Sequence, residues 1–94
     1  MENKELQDLY QNMLQIHGKV DNIFQTVEVP SMLRNEYNNK VSQYENMFES
    51  VETMKSIAKT EEAKDSLVNQ QIEILKVRIK CEVALAEKAN ALKK

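Results

Sequence analysis

Apolar residues recur along the first part of the chain at Leu6, Leu9, Met13, Ile16, Val20, Ile23 and Val27, with spacings of 3, 4, 3, 4, 3 and 4. A repeat of this period, held over three heptads, predicts an amphipathic helix with a coiled-coil-like stripe. Tyr10, His17 and Phe24 each follow the second position of a repeat and widen that stripe. Gly18 falls inside it, and a helical glycine costs about 1 kcal/mol relative to alanine. The phase is unchanged across Gly18, so the pattern predicts one helix over residues 3–27, beginning near Asn3.

The stripe stops at 26-TVEVPS-31. Val29 precedes a proline and is pushed out of the α region. Pro30 suits the first turn of a second helix, and Ser31 is a candidate cap for it. Over residues 31–58 one face carries Leu33, Tyr37, Val41, Tyr44, Phe48, Val51 and Ala58, with Met47 and Met54 along its edge. Lys40 and Lys55 fall on the same face, with stems long enough to reach water. Thr60 followed by Glu61 and Glu62 offers a capping hydroxyl and then acids at the positive end of a helix dipole. This predicts a turn near Lys59–Thr60 and a third helix over residues 61–92.

The stretch 74-ILKVRIKCEVALAE-87 runs against this picture. Leu75, Val77, Ile79, Cys81, Val83 and Leu85 alternate with polar residues, as in a half-buried strand. No segment elsewhere is long enough to pair with it, both flanks are helix-forming, and no turn bounds it. A helix is therefore expected. At 100° per residue it carries two apolar stripes. One holds Val68, Ile72, Ile79, Val83 and Ala86, and the other Leu67, Ile74, Cys81, Leu85 and Leu92. Between them runs a polar seam of Gln71, Arg78 and Glu82, in which Arg78 and Glu82 are four apart and able to pair. Val77, Ala84 and Ala91 form a weaker line on the far side.

Two stripes suit a helix packed between two others. The expected fold is all-α: a three-helix antiparallel bundle, or a helical hairpin of long heptad-like helices, completed by oligomerisation or by a partner chain. It forms a single domain over 1–94. The candidate core is Leu6, Leu9, Met13, Ile16, Val20, Ile23, Tyr37, Val41, Tyr44, Phe48, Val51, Val68, Ile72, Leu75, Ile79 and Val83. The candidate interface is Leu67, Ile74, Arg78, Cys81, Leu85 and Leu92. Met13, Met32, Met47 and Met54 are expected chiefly to fill the core, although Met-rich faces also occur on adaptable binding surfaces.

Composition narrows the function. The net charge is −2. Residues 1–58 hold five basic and nine acidic residues, and residues 59–94 hold eight and six. Neither part has the clustered basic stripe expected of a nucleic-acid binder. Lys93 and Lys94 are expected to complement the negative end of a helix dipole. Eleven Lys against two Arg, with many Asn and Gln, fits AT-rich coding in a bacterial or phage small protein. No apolar run is long enough for a membrane span. The first residues resemble neither a signal nor a transit peptide. A lone Cys81 excludes an internal disulfide and fits the cytoplasm.

No catalytic constellation is present. His17 is the single histidine and reads as a side chain at the edge of an apolar face. Cys81 reads as a small buried hydrophobe. Glu45, Glu49 and Glu52 share the outer face of the second helix, as a solvated surface or a docking strip for a basic partner. The Glu-x-x-His pattern of di-iron bundles is absent, and there is no phosphate loop or Cys-x-x-Cys. No cofactor, metal or small-molecule ligand is expected. Gln71, Glu82 and 85-LAEKA-89 resemble the C-terminal helix of inner-rod and basal-body subunits of type III export systems, with the Gln-to-Leu-Ala spacing shifted by a residue or two. That resemblance implies a rod or scaffold subunit. The residues themselves point to a non-enzymatic helical interaction module, an adaptor, chaperone or inhibitor, that binds a protein partner or itself. A structural subunit of a homomeric helical assembly is the alternative.

Overall fold

The computed structural model of the protein describes residues 4–92. It holds three helices, α1 (Lys4–Thr26), α2 (Ser31–Ile57) and α3 (Glu61–Leu92), and no strand among the described residues. The strand-like run 74–87 lies in the middle of α3. The expected start at Asn3 and the dipole role of Lys93 and Lys94 lie outside the described residues.

Helix α1 passes through Gly18 without a break, and a Cβ built there meets nothing within 4 Å. The Val27 N–H still donates to the Ile23 carbonyl at 2.8 Å, after which the chain leaves the helix over residues 28–30. Pro30, at φ −59° and ψ 147°, makes the turn into α2, and its carbonyl accepts from the N–H groups of Leu33 and Arg34, both at 3.1 Å. Ser31 therefore does not cap α2. It already lies inside the first turn, and no side chain caps this end.

Helix α2 ends at Ile57, and Ala58 turns extended. The α2–α3 turn is tight because Thr60 restarts the helix. Its Oγ1 accepts from the Ala63 N–H at 3.1 Å, and its carbonyl accepts from the Lys64 N–H at 3.1 Å. Glu61 and Glu62 occupy the first turn of α3, where the dipole favours acids.

Helix α3 packs against both other helices, whereas the backbones of α1 and α2 hardly approach one another. The molecule measures 53 × 21 × 15 Å, a length set by α3, whose 32 residues rise about 48 Å. The radius of gyration is 15.4 Å. A compact chain of this size would have about 12 Å, so the bundle is a rod.

The best-packed core lies at the α1–α2 turn. Phe24 and Tyr37 stack with centroids 4.2 Å apart and planes 6° apart. Val20, Leu33, Leu85, Ala86 and Ala89 enclose them. Burying Phe24 contributes about 1.5–3 kcal/mol. The small Ala86 and Ala89 on α3 leave room for the rings.

Candidate functional site

The innermost line of α3 is Gln71, Leu75, Arg78, Glu82, Leu85 and Ala89, all buried. Its spacings are 4, 3, 4, 3 and 4, a heptad line that carries three polar residues. The polar seam thus faces inward, and the apolar stripes lie on its two flanks. Each seam residue is matched. Gln71 donates to Glu52 at 2.7 Å and to the Phe48 carbonyl at 3.5 Å, and accepts from Lys55 at 2.8 Å. Arg78 Nε donates to Glu82 Oε2 at 2.7 Å, and Arg78 Nη2 lies 3.6 Å from Glu45. Glu82 Oε1 meets His17 Nδ1 at 2.9 Å. Among the described residues no enclosed side-chain N or O lacks a hydrogen-bond partner. An ion pair this deep offsets its desolvation only with good hydrogen bonds, and here Arg78 Nε engages one Glu82 oxygen and His17 the other.

Among the described residues, three groups are shifted from their ordinary values by their surroundings. The Tyr37 phenol is held well above its usual range, first by burial and then by donation to Asp21 at 3.0 Å. Burial also raises Tyr44, with Cys81 beside it as the second cause. Glu52 is held below the usual carboxylate value, chiefly by the hydrogen bond from Gln71, with Lys55 adding to it.

Two surface features remain. On one side, α2 and α3 bound an open groove of about 630 Å³ whose lining includes Met47, Val51, Asn69, Gln70, Glu73 and Ile74. Met54 and Ile57 extend α2 beyond it, and Ile57 is 71% exposed. On the other side, α1 and α2 diverge over α3 and leave a crevice. Tyr10 and Phe48 bridge it with ring centroids 5.5 Å apart. Above the bridge a part of about 300 Å³ reaches Leu14, His17, Glu45, Glu49 and Arg78. Below it a part of about 980 Å³ reaches Leu6, Glu52, Lys55, Lys64, Asp65 and Val68.

The predicted residues divide as follows. Met13, Val20, Tyr37, Val51, Ile72 and Leu75 are buried. Leu6, Leu9, Ile16, Ile23, Val41, Tyr44, Phe48, Val68 and Ile79 are half-buried. Val83, expected in the core, is 39% exposed, because it lies at the stripe edge farthest from the seam. Of the expected interface, Arg78 and Leu85 are enclosed within this chain's own core, since the seam beside them points inward. Leu67, Ile74 and Cys81 are half-buried, with Cys81, expected as a small buried hydrophobe, packed partly buried against the core, and Leu92 is half exposed. Of the methionines expected to fill the core, Met13 does so, while Met32, Met47 and Met54 are exposed. Phe24, Val27, Leu33, Ala86 and Ala89 are buried beyond the expected set. Phe24 had its signal in the widened α1 stripe, and Ala89 in its place seven residues after Glu82.

No group of three or more His, Cys, Asp or Glu residues able to hold a metal occurs among the described residues. No helix among them is long and apolar enough to cross a membrane. Comparison with protein-family models, with curated proteins and with solved structures finds no match.

Proposed function

We propose that this chain is a non-enzymatic helical interaction module that binds a protein partner, or a second copy of itself, through apolar helix faces. The observation that supports this best is the α2–α3 groove, with exposed Met47 on its wall and exposed Met54 and Ile57 continuing the same face of α2 beyond it. Met47 and Met54 are seven apart, and Ile57 follows three residues later, so they share one face of α2. All three are exposed although the core has room for Met13. Unbranched, polarizable side chains on an open groove adapt to the contours of an incoming helix. We infer a reducing compartment, the cytoplasm, as its setting; a chain with Cys81 as its single cysteine fits it.

Met47→Glu with Met54→Glu tests the reading, because both positions are exposed. The variant is expected to keep its far-UV circular dichroism and thermal transition, and to lose the partner that the wild-type chain retains from a lysate of the source cell. If the folded variant retains the same partner, the groove is not the binding face. Light scattering across concentration separates the two modes of use. A fixed small assembly fits a module, and open-ended growth fits a rod or scaffold subunit.

A further inference from the structure

The α1–α2 crevice gathers five carboxylates along its rim, where the α2–α3 groove holds Glu73 alone, and that cluster names a partner. We propose that the crevice receives a basic amphipathic helix of another protein. This deepens the interaction-module reading and rests on it.

The floor is apolar. Leu6, Tyr10 and Leu14 follow one another at spacings of four along α1, and Phe48 faces Tyr10 from α2. Tyr10 and Leu14 are 37% and 44% exposed. From Leu6 to His17 is about 16 Å along α1, or three turns of a guest helix lying over the Tyr10–Phe48 bridge and across both parts of the crevice.

The rim is acidic. Glu45, Glu49 and Glu52 line it from α2 at spacings of 4 and 3, and Glu61 and Asp65 close the lower end from α3. Three cations line the same space, and each is engaged. Lys55 lies 3.4 Å from Glu52, Lys64 lies 3.9 Å from Glu61, and Arg78 lies between Glu82 and Glu45. Five rim carboxylates against three cations leave an excess of two negative charges. Glu49 and Asp65 enter no ion pair among the described residues. A helix with apolar residues at i, i+3, i+4 and i+7 covers the floor, and Lys or Arg on its flanks meets Glu49, Glu52 and Asp65. The Tyr10 and Phe48 rings add cation–π contacts. An acidic helix meets repulsion at the same sites. A second copy of this chain fits less well. The outer line of its α3, Val77–Ala84–Ala91, is flanked by Lys76, Lys80 and Lys88 but also by Glu73 and Glu87, a mixed face with little net positive charge.

Three labelled synthetic helical peptides test this by fluorescence anisotropy with the full chain. They share one Leu/Ile heptad face and carry Lys, Gln or Glu at every polar position. The Lys peptide is expected to bind at least about tenfold tighter than the Gln peptide, and the Glu peptide not to bind. Salt is expected to weaken the Lys peptide, because exposed charges are screened within about 10 Å at 0.1 M. Glu49→Lys with Asp65→Lys, both on the surface, is expected to lower Lys-peptide affinity at least about fivefold, leaving the Gln peptide and the thermal transition unchanged. Equal binding of all three peptides overturns the basic-partner inference and keeps the module. Loss of Lys-peptide binding on Met47→Glu/Met54→Glu, with none on Glu49→Lys/Asp65→Lys, puts the peptide in the other groove and also overturns it. Failure of every peptide to bind, with a chain that stays monomeric, overturns both.

Discussion

Replacing Arg78 by Met tests whether the seam of α3 is as dry as its geometry implies. The substitution keeps most of the side-chain length and flexibility, so packing loss is small. What it removes is the partner of Glu82, whose carboxylate is 2% exposed and receives Arg78 Nε at 2.7 Å. Glu82 then keeps only His17, at 2.9 Å. Breaking a buried pair on one side costs about 3–5 kcal/mol, because a charge is left uncompensated. Domains of this kind hold about 5–15 kcal/mol in total. At about 4–8 °C per kcal/mol, the transition should fall by at least about 12 °C. Urea titration followed by circular dichroism measures the loss by linear extrapolation. The double variant Arg78→Met/Glu82→Leu removes both charges and should recover most of the stability, or exceed the wild type by about 1–4 kcal/mol. His17, with its side chain 27% exposed, can then turn to water. A single variant that loses less than about 1 kcal/mol, or a double variant worse than the single, would refute the description of the seam as a desolvated ion pair.

Gly18→Ala should stabilise the protein by about 1 kcal/mol in thermal melts, because the site is helical and the added methyl meets nothing; a loss of stability would mean that α1 needs a bend there. Phe24→Ala should cost about 3–5 kcal/mol in urea titration by opening a cavity beneath Tyr37, and a cost under 1 kcal/mol would mean that the ring stack is not core. Glu52 has its folded value below 4.5, so its contribution is present above that value and lost as pH falls through the lowered one; Glu52→Gln should flatten the acid limb of stability against pH, and an unchanged limb would contradict the Gln71 bond. Tyr37 has its folded value raised above 10.0, so its contribution holds below pH 10.0 and is lost as pH rises beyond it; Tyr37→Phe should be less sensitive over that range.

The helices were legible because their signals are local. The heptads of α1, the proline at 30 and the Thr60-Glu61-Glu62 start each act within a few residues and need no knowledge of neighbours. The double-sided character of α3 was legible too, since the wheel separates Leu75, Val83 and Cys81 into distinct faces. Which face turned inward was not. Hydropathy places Arg78 outside and Val83 inside, yet Arg78 is 5% and Val83 39% exposed. The reversal comes from partners remote in sequence: Glu45 and His17 make a polar centre tolerable, and neither announces this locally. The exposed methionines were unreadable for the same reason, because a side chain at a stripe edge is core or surface according to where the next helix stops.

A stripe of Leu, Val and Ile packs nearly as well when its neighbour slides by one heptad, about 10.5 Å along the axis. The seam removes that freedom. Were α1 to slip by one repeat, His17 would face Leu75 or Ala89 in place of Glu82, and a slip of α2 would carry Glu52 and Lys55 away from Gln71. The buried polar residues act as index marks on an otherwise smooth rule. They fix how far each helix projects past the others, and so where the crevice between α1 and α2 begins and ends.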